Sequence, residues 1–339
     1  MNKRDLEILR KATAPKMIRL GQPPWSEEEL TIAYFRNATQ TNRKVESRPG
    51  AKYSNAIDAL ELSVALFNNA AEALFASIET FRLKSIEPNF GSRVRRSEEE
   101  HYQLAVRRNL FNVTTMALAL VEHSRVVQKL LMIPDYQEHI DQEFKHHIDH
   151  RLIQELRGYV LHSRLLPADW QTTIKFGEGQ ETRFYLRKSV LLSSRKWSRP
   201  VREYLHRLDY GVDIEELFLA YRDRVVAFHA WYRGAIELAG DWVLKEYREY
   251  QRIIKGIGWR TSYLILLQIA KSAKIDPFNR INEYLFPNEI EYVLSTQDLK
   301  QQVDRIIEVL DEYNACDDSL RSEVYKLFGV ALEQDDMGG

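Results

Sequence analysis

The sequence has little cysteine and no long apolar run. Its 339 residues include one cysteine, Cys316, which excludes an internal disulfide framework and a cysteine-rich zinc module. No run of about 18 or more apolar residues occurs, so no membrane span or membrane partner is expected. The charged start, MNKRDLEILRK, has no apolar segment of the kind that a signal peptide needs. We therefore expect a cytoplasmic protein.

An excess of charge of one sign is also missing. Lys and Arg number 48 and Asp and Glu number 49, so the formal net charge is -1. Any contact with nucleic acid must then come from a local patch rather than from the whole surface. Neither GxxxxGK[ST] nor GxSxG occurs, which leaves P-loop and serine-hydrolase functions without support.

Apolar residues instead recur at steps of three and four, the spacing typical of amphipathic helices. One such pattern covers 54–82, and a second begins at SEEEHYQ after a short break. Two long helices with a short connection predict an antiparallel bundle. The pairs Ser26 with Glu29 and Ser97 with Glu100 have the capping-box spacing expected where helices begin.

Strand patterns are scarce. TTIKF (172–176) and ETRFYL (181–186) flank GEGQ, which predicts a β-hairpin. Helical patterns then continue to the end, with breaks expected near 209–212, 237–241 and 256–258.

The fold class that we expect is mainly α, a long-helix bundle with one inserted hairpin and an additional helical portion. The pattern divides the chain into an N-terminal extension (1–53), a helical domain (54–240) with its hairpin near 172–186, and a C-terminal helical region (241–339).

One short motif points to chemistry. Arg157 and His162 are five residues apart in ELRGYVLHSRLLP, at the end of a predicted helix. The same spacing occurs in two other pairs, Arg96/His101 and Arg224/His229. Spacing alone therefore does not choose among the three. Carboxylates surround the first of these other pairs and aromatic residues surround the second, so context favours Arg157 and His162 as a phosphate site.

The stretch LRGYVLHSRLLP, followed by a hairpin that ends in RFYLRKSVLL, resembles the HEPN superfamily. The resemblance covers roughly 55–240 and is strongest for bacterial members in which a strand pair follows the Arg-to-His helix. It implies an all-α bundle that dimerises, so that two R-x4–6-H motifs face each other and cleave RNA without a metal. Many members act as toxins or in antiviral defence. By resemblance Arg157 and His162 are catalytic, and Gly158 stands where the family usually has a polar residue.

The residue types suit that role. A histidine near neutral pKa can act as base or acid, and an arginine can hold phosphate oxygens through two parallel hydrogen bonds. Five residues turn a helix about 140° beyond one full turn, which fits a site built from two copies better than one copy alone. The structural alternative is a surface arginine with a histidine that caps the last helical turn.

A basic stretch with interleaved aromatic residues follows this helix, as is common in proteins that bind single-stranded nucleic acid. Its candidate RNA-binding residues are Arg183, Arg187, Lys188, Arg195, Lys196 and Arg199. The alternative is a solvated basic face.

No metal or cofactor is expected. His146 and His150 have a metal-ligand spacing, but His147 stands where an H-E-x-x-H site needs its glutamate. GIG at 256–258 resembles a helix-hairpin-helix turn, although a simple helix–helix connection is the favoured interpretation.

The function expected is a metal-independent endoribonuclease of HEPN type, a toxin or antiviral defence effector, acting on RNA as a homodimer. A partner protein, either an antitoxin or a defence-complex subunit, is also expected. The alternative is a non-catalytic HEPN-like adaptor or dimerisation subunit in a larger bacterial complex.

Overall fold

A computed structural model describes residues 20–162, 168–175, 179–194 and 196–331. The fold is mainly α with an inserted hairpin and further helices after it, so the predicted fold class is confirmed. None of the helices in the described residues has the length and apolar content that a membrane span requires.

The described residues form two compact units, one within 52–242 and one that combines residues 20–51 with residues 243–331. The helices are, in chain order, α1 (Glu27–Glu46), α2 (Pro49–Ser85), α3 (Arg96–Leu131), α4 (Tyr136–Ile140), α5 (Ile148–His162), α6 (Lys188–Leu192), α7 (Arg199–Arg207), α8 (Ile214–Ala273), α9 (Pro287–Leu294), α10 (Leu299–Leu310) and α11 (Asp318–Phe328). The strands are β1 (Ala168–Lys175), β2 (Gly179–Arg187) and β3 (Gly211–Asp213).

The core of the 52–242 unit comes from the predicted apolar stripes. On α2 the buried members are Leu60, Phe67, Ala71, Leu74, Ile78 and Phe81. The hairpin packs on the end of this stripe, where the Phe81 ring lies edge-on to Phe184 with centroids 4.8 Å apart. Arg82 joins the same corner by donating from Nε to the Thr182 carbonyl at 3.3 Å. The hairpin is thus part of the bundle's core.

The sheet has one strand more than the sequence predicts. β1 and β2 pair antiparallel from Ala168↔Leu186 to Lys175↔Gly179, and β3 adds to β2 on its other edge. Three residues are too few for an alternating pattern to reveal a strand. Gly211 permits the close approach, since a Cβ there would lie 2.3 Å from the Leu186 carbonyl oxygen.

Two predicted helix breaks are wrong. α8 runs without interruption from Ile214 to Ala273, through 237–241 and through 256–258. A glycine inside a helix costs only about 1 kcal/mol relative to alanine, and burial along α8 outweighs that cost. Neither the helix-hairpin-helix turn nor the helix–helix connection exists at GIG, because all three residues are helical.

The two predicted helix caps differ in outcome. At Ser26 the capping box is confirmed: the Glu29 amide donates to Ser26 Oγ at 3.2 Å, and the Ser26 amide donates to Glu29 Oε2 at 2.8 Å. At Ser97 it is wrong, because a 3-10 turn (Arg93–Arg95) leads directly into α3 at Arg96.

In the second unit, residues 20–51 pack with the chain from Val243 onward. The Trp25 amide donates to the Tyr250 hydroxyl at 2.9 Å, and Arg48 donates to both Glu246 carboxylate oxygens at 2.9 and 3.1 Å. A separate apolar cluster joins α10, α11 and the end of α8 through Val303, Leu320 and their neighbours.

Candidate functional site

Helix α5 carries the predicted catalytic pair. Leu152, Ile153 and Leu156 are fully buried and bring one face of α5 into the bundle. Arg157 and His162 lie in its last two turns, but their side chains fall outside the part of the chain that the structure describes. Whether the two side chains converge, in one copy or across two, therefore stays a prediction.

Gly158 marks the open side of α5. At about 100° per residue it lies on the side of the helix away from the buried residues. A Cβ added at Gly158 would meet no atom of the described residues within 4 Å, apart from its own helix backbone and its chain neighbours. The helix is therefore accessible beside the backbone of Arg157.

The loop before α7 is fastened to the same turns of α5. The Tyr159 ring stacks on Trp197 with centroids 5.5 Å apart and an interplanar angle of 17°. The Ser198 amide donates to Glu155 Oε2 at 2.8 Å. Both contacts come from residues two positions away from Arg157, so they hold the loop against the candidate site.

The first turn of α5 is built into the core. His150 lies between Phe144 and Tyr221, with its Nε2 2.8 Å from the Gln154 amide nitrogen. Burial lowers the pKa of His150 to about 4, so its ring is neutral at pH 7. A neutral, enclosed imidazole of this kind supports the helix and is poorly suited to proton transfer.

The arginines of the two other Arg-to-His pairs form ion pairs within the fold. Arg224 forms an ion pair with Asp149 and donates to the Ala220 carbonyl at 3.1 Å. Its partner His229 is buried, which lowers the pKa of its ring to about 4. On α3, Arg96 forms an exposed ion pair with Glu100 at 3.0 Å.

Arg183, one of the predicted RNA-binding residues, is surrounded by carboxylates. Its guanidinium reaches Glu181 at 2.6 Å, Glu216 at 2.8 Å and Asp213 at 3.3 Å. The hydrogen bond to Glu181, with that to Glu216, raises the pKa of Arg183 above its usual value. The basic stretch contains no acid of its own from 183 to 202, but folding brings two of these carboxylates from beyond its end.

Two more of the predicted RNA-binding residues have structural contacts. Arg187 forms an ion pair with Asp169 on β1 at 2.7 Å. The Lys188 ammonium donates to the carbonyls of His206 and Leu208 at 2.8 and 2.6 Å, which caps the C-terminal end of α7.

The remaining three predicted RNA-binding residues lie before and at the start of α7. Arg195 falls outside the described residues, and Lys196 is exposed. The Arg199 side chain is 90% exposed and pairs with Glu203 at 2.7 Å. Of the five described cations, three thus have partners in other elements of the fold, and Lys196 and Arg199 face solvent.

No protein-family model, curated protein or solved structure matches this chain.

Within the described residues no group of three or more His, Cys, Asp or Glu side chains is arranged to hold a metal ion. His146 and His150 therefore lack a third ligand from any described residue.

Sequence reasoning missed a cavity of about 660 Å³ in the unit that contains the chain from Val243 onward. Its walls come from α1, from α8 between Arg252 and Gln268, and from the loop before α11. Gly256 lets that loop approach, since a Cβ there would lie 3.2 Å from the Ala315 Cβ. Cys316 lines the cavity, and burial raises the pKa of its thiol to about 11. The sequence signal for this cavity was Gly256 in the GIG stretch.

Proposed function

We propose that this chain is a metal-independent endoribonuclease of HEPN type in which Arg157 and His162 act on the RNA phosphate. The observation that carries the proposal is the open side of α5 at Gly158. Around the helix axis, Arg157 lies about 100° to one side of Gly158 and His162 about 40° to the other. An RNA strand or a second copy can therefore approach α5 between the two positions.

The fate of the competing pairs supports this choice. Arg224 is paired with Asp149, and His229 is buried and neutral, so neither is available to a substrate. Arg96 and His101 lie where three glutamates begin α3, a poor place to hold a phosphate. Arg157 and His162 are the pair that best fits the role.

In the proposed reaction His162 transfers protons. A metal-free cleavage needs a base for the 2′-hydroxyl, an acid for the leaving oxygen and a cation for the charge on the phosphorane. His162 is the base or the acid, and Arg157 holds the phosphate oxygens. The product is a 2′,3′-cyclic phosphate end, since the 2′-oxygen displaces the 5′-oxygen.

A homodimer would supply the second acid–base group, because each copy contributes one Arg157 and one His162. In this proposal the cellular role is that of a toxin or an antiviral effector, held in check or triggered by a partner protein.

The test is cleavage of single-stranded RNA by the purified chain in EDTA. We expect wild-type protein to cleave and His162→Ala to lose cleavage while it keeps its fold. His101→Ala is the matched control, since it removes the histidine of another pair with the same spacing. Cleavage retained by His162→Ala would overturn the assignment.

A second candidate is a non-catalytic helical adaptor. Leu238 and Trp242, one turn apart on α8, are 85% and 80% exposed, which is typical of a surface that a protein partner covers. The absence of cleavage in EDTA, together with a Leu238→Ser/Trp242→Ser variant that changes the oligomeric state in light scattering, would favour this candidate.

A further inference from the structure

Helix α7 presents a face of predominantly one charge sign beside the helix that bears the candidate site. We call this surface the α7 basic face, and its members, all exposed, are Lys196, Arg199, Arg202, His206 and Arg207. At about 100° per residue the four helical members fall on one side of α7. Val201 and Leu205, which are buried, anchor the opposite side.

One carboxylate interrupts this surface. Glu203 pairs with Arg199 at 2.7 Å, but both side chains are exposed. Exposed ion pairs four residues apart on a helix contribute little to stability and are screened by salt. A phosphate can therefore take the place of Glu203 beside Arg199 at little cost.

The α7 basic face is fixed relative to α5. The stack of Tyr159 on Trp197 and the bond from the Ser198 amide to Glu155 join the start of α7 to the turns of α5 around Arg157. The Trp197 indole also donates to the Leu191 carbonyl at 2.6 Å, which ties the loop to α6. A polymer held on α7 thus passes close to the end of α5.

The strand cations do not offer an equivalent surface. Arg183 and Arg187 are bonded to carboxylates, and Lys188 caps α7 itself. Their hydrogen bonds hold these side chains to the sheet and to the end of α7, whereas the helical members of the α7 basic face stand side by side on one exposed side of a single helix.

We propose that the α7 basic face binds the phosphate backbone of a single-stranded RNA and delivers it to α5. Tyr210, exposed just beyond α7, offers a ring on which a base can stack. α7 itself exposes no large apolar side chain, so a lipid surface is a poorer match. The inference rests on the proposed nuclease function, and it assigns binding to Arg202, His206 and Arg207, which the sequence pattern did not select.

The experiment measures binding of a short fluorescein-labelled single-stranded RNA by anisotropy, in EDTA, at several salt concentrations. The protein is the full chain with His162→Ala, so that the probe stays intact. The test variant adds Arg199→Gln, Arg202→Gln and Arg207→Gln. The matched control instead adds Arg96→Gln, Arg125→Gln and Lys129→Gln, which removes three exposed cations from α3.

We expect the α7 variant to raise the Kd roughly tenfold or more, and the control to change it by less than about twofold. The slope of log K against log salt should fall by about 2, because each neutralised phosphate of a single strand contributes about 0.7. Equal effects of the two variants, or no RNA binding by the parent protein, would overturn the inference.

Two further arms separate the possible failures. Polyglutamate that competes as well as RNA would assign the face to acidic proteins and overturn the inference. Binding that depends on α7 without cleavage by the wild-type chain would support the inference and overturn the nuclease. If the wild-type chain cleaves RNA but the α7 substitutions leave the RNA affinity unchanged, the nuclease is supported and the inference is overturned.

Discussion

Arg224 and His229 on α8 repeat the spacing of Arg157 and His162 on α5, but the two pairs have different surroundings. The α8 pair has structural contacts. Arg224 forms an ion pair with Asp149 in the first turn of α5, and His229 is buried among aromatic rings. The α5 pair lies where Gly158 leaves the helix open. Arg224 therefore anchors the beginning of the helix whose end carries the α5 pair. The same spacing thus stabilises the fold on α8 and, in our proposal, supplies catalytic residues on α5.

The largest effect should come from acid, through His150 and His229, whose pKa values the fold lowers. Burial lowers the pKa of His150 and His229 to about 4, against about 6.5 in the unfolded chain. Between these pH values the unfolded chain takes up protons that the folded chain does not, so the free energy of unfolding falls as pH falls. For each histidine this lowers the free energy of unfolding by up to about 3 kcal/mol: none of it is lost above pH 6.5, and the loss is nearly complete at pH 4.

Urea unfolding at pH 7 and pH 5 measures this effect. The variant His229→Phe should show a smaller loss of stability between the two pH values than the wild type. An unchanged pH dependence would contradict this, because it would mean that the His229 ring has the same pKa in the folded and the unfolded chain.

Removing the arginine charge from each pair in turn should separate the roles of the two pairs. We expect Arg157→Gln to slow RNA cleavage at least about 100-fold, a loss of about 2.7 kcal/mol of transition-state stabilisation. Arg224→Gln, the matched variant on α8, should leave the rate per folded molecule within a few-fold. Initial rates in EDTA decide between them, and equal losses would contradict the comparison.

Stability should respond in the opposite order. Removing Arg224 leaves Asp149 mostly buried without its partner, and we expect Arg224→Met to lower the free energy of unfolding by about 2 kcal/mol. Adding Asp149→Asn should recover part of that loss. Urea titration of both single variants and the double variant gives the coupling, and a coupling near zero would contradict the anchoring role.

The smallest effect should come from Gly158. The site has room for a side chain, and asparagine is slightly better than glycine in a helix. Gly158→Asn should therefore fold at least as well as the wild type. In our proposal the substitution also supplies the polar side chain that HEPN-type sites have beside the arginine, so cleavage should rise a few-fold. Loss of folding would contradict the open geometry.

The bundle could be predicted because its apolar stripes are local in sequence, as on α2 from Leu60 to Phe81. β3 could not, because three residues carry no pattern, and its close pairing depends on Gly211. The continuity of α8 also escaped prediction, since Gly256 marks a close contact with the loop at Ala315 rather than a turn.

The candidate site was predictable in its sequence position but not in its electrostatics. Asp149 lies 75 residues before Arg224, and Glu216 lies 33 residues after Arg183. Composition within a window therefore could not distinguish cations that are bonded in the fold from those that face solvent. That distinction depends on tertiary contacts, which give Arg183, Arg187 and Lys188 partners within the fold.

Cys316 makes the cavity beside α8 chemically addressable. The chain has no other thiol, so a maleimide or a spin label attaches at one place without any prior substitution. Because burial holds the thiol in its protonated form at neutral pH, alkylation there should be slower than at an exposed cysteine of ordinary pKa. A mass-spectrometric time course of the unaltered protein, followed as pH rises towards the pKa of the thiol, thus reports the surroundings of this one side chain.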